Sequence, residues 1–188
     1  GRLDHHAMQM MKIAIDKVTI RACHIKVTCP NGTNFEGTTI APSAHRGEVI
    51  INRFPLGISQ PILNDGFCGK AVLTNYLTPT GSLTYNPEYL AIDTPVTAHF
   101  EGNRITGFTG APDMVAAVEA HYADVADRFG LDAYNIDSWH AGFHPLMAYE
   151  GSATADPLRW SGTAFQHQRI LHFHTCGTGA PGEICWMI

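Results

Sequence analysis

The sequence has few charged residues, no surplus of basic residues and no long apolar run. Charged side chains make up 15% of the 188 residues and the net charge is −5. The charged fraction is below the ~25% of ordinary soluble domains, which disfavours a disordered or coiled-coil chain. Without a basic surface a nucleic-acid partner is not expected. No stretch reaches the ~18 apolar residues of a membrane helix. No signal peptide is expected either. We therefore expect a globular cytoplasmic protein that binds neither nucleic acid nor membrane.

Paired cysteines are also missing, whereas histidine is abundant. The five cysteines form no CxxC pair and are irregularly spaced, which disfavours a zinc ribbon and favours reduced thiols. Of the 11 histidines, His5 and His6 fall within residues 1–7, which we interpret as an expression remnant. The other histidines suggest metal binding or acid–base chemistry, because neutral imidazole is the commonest metal ligand.

Hydrophobic periodicity predicts an α+β domain. Spacings of three and four residues predict a first helix that buries Met8, Met11, Ile15 and Val18. A second helix is expected over 112–129, with proline in its first turn and glycine at its end. Alternating or short apolar runs predict strands at 23–29, near 38, and at 94–100, 105–108, 134–140 and 168–176. We interpret residues 1–188 as one domain with a mainly antiparallel mixed sheet and two principal helices.

The strongest local signal is the sequence His172-Phe173-His174 in a predicted strand. Side chains alternate between the two faces of a strand, so the two histidines share one face while Phe173 points into the core. Two such imidazoles can reach one cation at about 2.0–2.2 Å. The His-X-His pattern is common, and a polar sheet face without metal is the alternative interpretation.

A third histidine, His140, ends another predicted strand within 135–145. Ligands are often held at such strand ends beside a loop, although a core or capping histidine is an equal alternative. Together His140, His172 and His174 would offer three nitrogens and leave other coordination positions open. Open positions are typical of a catalytic rather than a structural metal site.

The order and spacing of several short motifs resemble one family over nearly the whole chain. The motifs are IKVTCPNGTNF at 25–35, FPLG at 54–57, DTPV at 93–96, EGNRITGFTG at 101–110, WHAGFHP at 139–145 and HFH at 172–174. The chain resembles the C-terminal domain of the 2,5-dihydroxypyridine 5,6-dioxygenases and of their relatives, the aminopeptidases of the aminopeptidase T type. The resemblance implies the thermophilic metalloprotease-like fold. Family members usually carry a preceding N-terminal α/β domain, which residues 1–188 lack. The resemblance therefore implies a homo-oligomer or association with that missing domain.

The resemblance also implies a metal and a reaction. In the dioxygenases two histidines and an aspartate hold one non-haem iron(II). His140 and His172 match the two histidines, whereas His174 stands where the aspartate is expected, which makes the site one charge more positive. The implied reaction is cleavage of a hydroxylated aromatic or N-heterocyclic ring by dioxygen. Zinc or another divalent transition metal is an alternative, since imidazole binds several of them.

Two further histidines are candidates for acid–base catalysis. His144 lies four residues beyond His140, and His45 lies near the segment that the resemblance associates with substrate. For both, a surface or hydrogen-bonded histidine is the alternative.

Two functions other than a dioxygenase stay open. A metal-dependent aminopeptidase would need two metal ions and several carboxylates. A non-catalytic metal-binding or structural module would need no turnover at all.

Overall fold

The computed structural model describes residues 4–39, 57–79, 85–87, 89–177 and 182–188. Within these ranges the helices are α1 (His5–Arg21), α2 (Pro112–Phe129) and α3 (Pro157–Ala164), with a 3₁₀ turn at Asn64–Gly66. The strands are β1 (His24–Thr28), β2 (Asn34–Thr38), β3 (Ile62–Leu63), β4 (Phe67–Thr78), β5 (Leu90–Glu101), β6 (Arg104–Gly110), β7 (Ile136–Ala141), β8 (Leu171–Thr175) and β9 (Ile184–Met187). None of the described helices is both long and apolar enough to cross a membrane.

These strands form one curled antiparallel sheet. Its order is β1-β2-β4-β9-β8-β7-β3, and β5 and β6 continue from β4. The 12-residue β4 pairs with β2 at its start, with β5 along its length and with β9 at its end. One strand thus joins three others, and the sheet bends around it. The predicted α+β fold with a mainly antiparallel sheet is confirmed.

The core on the inner side of the sheet is rich in aromatic residues. The Phe35 ring lies 5.4 Å from Trp139 and 5.3 Å from Phe173, measured between centroids. Trp186 lies 5.3 Å from Phe173, and all four side chains are at most 3% exposed. Edge-to-face aromatic pairs add about 0.5–1.5 kcal/mol each to the stability gained by burial. This core therefore fixes β2, β7, β8 and β9 relative to one another.

The second predicted helix agrees with α2 in both bounds. Pro112 occupies the first turn, and Gly130 ends the helix with a left-handed φ of 63°, which glycine adopts without steric cost. Val118, Tyr122 and Val125 are fully buried against the sheet. Helix α3 and the strands β4 and β9 were not predicted. In particular, β9 is buried along its whole length, so it lacks the alternation that marks a strand in sequence.

Helix α1 is oriented differently from the prediction. Met8 is buried as expected, but Val18 is 70% exposed while Lys12 is only 6% exposed. The Lys12 Nζ donates a hydrogen bond to the Ile58 carbonyl oxygen at 2.7 Å and lies 3.3 Å from the Asp16 carboxylate. The predicted apolar inner face is therefore wrong for Val18 and for Met11, which is 39% exposed. The segment that precedes β3 offers α1 the backbone carbonyl of Ile58 rather than an apolar groove.

We expect Lys12→Met to lower the free energy of unfolding by about 1.5–3 kcal/mol, because it leaves a buried carboxylate and a carbonyl without their charged donor. Lys17→Met, on the exposed side of the same helix, should change it by less than about 0.5 kcal/mol. Urea denaturation of both variants measures the difference. Equal stability of the two variants would contradict the role assigned to Lys12.

Candidate metal centre

The register of β7 and β8 brings three histidines together. His140 lies directly opposite His172, and His174 lies opposite Ser138. The His140 and His172 rings stack with centroids 4.8 Å apart, and the His174 ring lies 4.9 and 5.0 Å from them. One nitrogen from each ring lies within 4.8 Å of the other two. We call His140, His172 and His174 the histidine cluster.

Alternation along the two strands explains why the cluster faces away from the aromatic core. Trp139 and Phe173 are register partners, and their rings stack inside the core at 6.2 Å. The residues on either side of them must therefore point to the other face. Trp139, which could have lined a substrate site, belongs to the core instead.

Burial keeps His140 and His172 uncharged. His140 is 8% exposed and His172 is 2% exposed. Burial lowers the pKa of His140 to about 3, with smaller contributions from His174 and Lys12. Burial also lowers the pKa of His172 well below its usual value, with the other two histidines adding to the effect. Neutral imidazole is the form that binds a metal ion.

The hydrogen bonds of the cluster leave nitrogens free to bind an ion. His140 Nδ1 donates to the Ser59 carbonyl oxygen at 3.0 Å, so its Nε2 carries the lone pair. His174 Nδ1 contacts the Glu183 carboxylate at 2.5 Å. His174 Nε2 and His172 Nδ1 are buried without a hydrogen-bond partner among the described residues. Unpaired buried polar atoms are costly, and three nitrogen donors fit a divalent transition metal that would satisfy them.

The residues preceding β3 hold His140 in place. Ser59 donates its backbone N–H to the Ala141 carbonyl oxygen at 2.9 Å, and its hydroxyl accepts the Ala141 N–H at 3.1 Å. The next residue back, Ile58, accepts the hydrogen bond from Lys12. Helix α1 is therefore connected to the cluster through two backbone carbonyls. This connection accounts for the buried lysine on α1.

The end of α3 covers the cluster from another side. The Phe165 ring centroid lies 4.5 Å from that of His172. Ala164, directly before Phe165, and His167, two residues after it, line a cleft of about 210 Å³. The other cleft residues are Met147, Ala148, Tyr149, Trp160, Thr163 and Ile170. An apolar cavity of about 150 Å³ holds a benzene molecule, so this cleft has room for one substituted ring.

His144 is the predicted acid–base residue that the structure describes. It is 7% exposed, and its Nδ1 accepts the Leu146 N–H at 3.2 Å, so the neutral ring carries its proton on Nε2. Burial lowers the pKa of His144. Its backbone N–H binds the carbonyl of Gln166, which places it beside the cleft-lining segment. His45 lies outside the described residues.

Sequence reasoning missed Ser59, Phe165 and Glu183. Ser59 lies far along the chain from His140, whereas Phe165 and Glu183 lie within ten residues of the histidines they contact. None of the three belongs to a recognisable motif. Glu183 carried the best signal, because it directly precedes the apolar run Ile184–Met187. A hairpin after the His-X-His strand would have placed it beside His174, which pairs with Cys185.

Comparison with known proteins shows a distant fold relationship. No family model matches the chain, and no curated protein matches it. Among solved structures it is similar to 2,5-dihydroxypyridine dioxygenase from Pseudomonas putida KT2440, with a TM-score of 0.64 and 13% identity over 99% of this chain and 55% of that chain. At this identity the likeness shows the fold alone. The chain spans about half the length of that dioxygenase.

We expect His172→Ala to abolish stoichiometric metal binding, because it leaves the cluster with two of its three nitrogen donors. Elemental analysis after anaerobic loading with iron(II) and removal of free metal measures the loss. His24→Ala on the exposed face of β1 is the control and should retain the metal. Full retention by His172→Ala would remove that residue from the ligand set.

The metal-free protein should lose stability in acid. Because the pKa of His140 is about 3 in the folded state and ~6.5 in the unfolded chain, the unfolded state binds more protons between these values. The contribution of His140 to the free energy of unfolding therefore has its full value above pH ~6.5 and falls as the pH drops toward the folded-state pKa. Urea denaturation across this range should show a weaker acid dependence for His140→Gln. An unchanged dependence would contradict the assigned pKa.

Proposed function

We propose that the chain is a metal-dependent dioxygenase-like protein that acts on a hydroxylated aromatic or N-heterocyclic ring. His140, His172 and His174 would hold iron(II). The observation that carries the proposal is the set of three imidazoles, each with a nitrogen within 4.8 Å of the other two. Among the described residues, His172 Nδ1 and His174 Nε2 are buried without a hydrogen-bond partner. Its support from outside the chain is the fold that it shares with a dioxygenase.

Each residue around the cluster would have a defined task. When bound, iron would supply dioxygen activation and Lewis acidity toward a ring oxygen. The Ser59 carbonyl would keep His140 in the tautomer with a bare Nε2. Phe165 would keep water away from His172, which it contacts. A dry environment strengthens the electrostatic interactions on which such a site depends.

The cleft beside α3 is the proposed position of the organic substrate. Its lining includes Tyr149 and Trp160, whose rings can pack against a planar ligand. Phe165 follows the lining residue Ala164 in the chain and its ring packs on His172, so this segment connects the cleft to the cluster.

His144 is the proposed acid–base group. Since its Nδ1 accepts a backbone N–H, its Nε2 holds the proton and would donate it to the reacting oxygen. His45 is the second candidate for this task. We further propose that the active form contains a second domain or a second copy of the chain, because the similar dioxygenase is nearly twice as long.

Zinc would fit the same three nitrogens and is the alternative metal. An aminopeptidase is less well supported. In the described part of the chain, the side-chain groups that could hold a metal contain a single carboxylate, Glu183. A two-metal site requires several anionic ligands.

Oxygen consumption by the iron-loaded protein tests the proposal. Dihydroxylated pyridines and benzenes should each be offered as substrate, with the oxygen uptake recorded by electrode and the product by mass spectrometry. We expect uptake of one dioxygen per ring cleaved, its loss in His140→Ala, and its retention in His24→Ala. Peptide hydrolysis with two bound metals would indicate the aminopeptidase instead. Failure of the wild type to bind any metal would indicate the non-catalytic module.

A further inference from the structure

Glu183 is a buried acid with an unusual environment. Its side chain is 6% exposed and its carboxylate lies 2.5 Å from Nδ1 of His174. Among the described residues, no lysine or arginine forms an ion pair with it. A buried carboxylate without a cation is costly. The one hydrogen-bond partner that the structure places against the carboxylate is Nδ1 of His174.

A metal ion bound on the Nε2 side of the His174 ring would supply a positive charge near this carboxylate. With Nδ1 hydrogen-bonded to Glu183, the buried Nε2 is the nitrogen left without a partner. A carboxylate that binds the outer nitrogen of a metal-bound histidine fixes its tautomer and makes it a stronger ligand. One cation would therefore satisfy the buried, unpaired Nε2 and place a positive charge one ring away from the buried carboxylate.

We propose that Glu183 is a positioning residue of the metal centre, and this inference rests on the proposed function. It would direct Nε2 of His174 into the cluster and would supply negative charge through the imidazole ring. In sites with two histidines and one carboxylate the anion binds the metal directly. Here the anion would lie one ring further away, so the ion would keep three nitrogen ligands and still have an anionic partner.

Cys185 makes a competing arrangement conceivable. Its Sγ lies 3.7 Å from His174 Nδ1, and His174, Glu183 and Cys185 have ligand atoms within 4.8 Å of one another. However, two ligands about 2.1 Å from one tetrahedral ion lie about 3.4 Å apart. The 2.5 Å contact between Glu183 and His174 is shorter than that and is a direct hydrogen bond. The geometry therefore favours an ion on the Nε2 side.

Cobalt(II) affinity measured by competition with a chromogenic chelator tests the proposal. Glu183→Ala should weaken binding by about 10- to 100-fold. Glu183→Gln, which keeps an acceptor oxygen but removes the charge, should also weaken binding. Cys185→Ser changes another neighbour of the same nitrogen and is the matched control. It should bind cobalt within about 3-fold of the wild type. Circular dichroism of the metal-free variants verifies that each is folded.

The visible spectrum of the cobalt-loaded wild type provides a test that needs no variant of Glu183. Nitrogen ligation predicts d–d bands without thiolate-to-cobalt charge transfer. A charge-transfer band that disappears in Cys185→Ser would overturn the proposal, as would unchanged affinity in both Glu183 variants. If the affinity is unchanged in both Glu183 variants, the wild type still binds cobalt, so the proposed metal centre would stand. A wild type that binds no cobalt would overturn both.

Discussion

The candidate site depends on the pairing register of β7 and β8. With His140 opposite His172, alternation sends Trp139 and Phe173 into the core and the histidines to the other face. A shift of one residue in this register would exchange the two sets of side chains. The aromatic core therefore stabilises the fold and at the same time fixes where the imidazoles meet. Packing on one face of the sheet thus determines the chemistry available on the other.

Contacts from distant parts of the chain then orient the individual rings. The Ser59 carbonyl binds one nitrogen of His140, and the Glu183 carboxylate binds one nitrogen of His174. Each contact uses Nδ1 of its ring and leaves Nε2 available for a metal ion. Helix α1 takes part through Lys12, whose bond to Ile58 supports the chain that carries Ser59. The apolar side of α1 is exposed as a consequence, because the side that carries Lys12 must face Ile58.

The electrostatics of the site combine the buried imidazoles of His140 and His172 with a carboxylate that lies beyond the ring of His174. Burial lowers the pKa values of His140 and His172, so their lone pairs are free at neutral pH. Three imidazole ligands would contribute no negative charge to a metal centre. Glu183 lies where it can supply that charge. The total charge of such a centre is therefore decided by residues beyond the ligands themselves.

Local patterns were sufficient for α2, whose periodicity and end signals agree, and for the shared face of His172 and His174. They also placed His140 at a strand end. They failed for α1, whose inner face is chosen by the Ile58 carbonyl, and for β9, which is buried on both sides. By itself the sequence determined which side chains share a face, since that follows from backbone geometry. The tertiary structure alone decided which strands adjoin and which atoms bind each imidazole, because those contacts depend on how separate segments pack and not on local spacing.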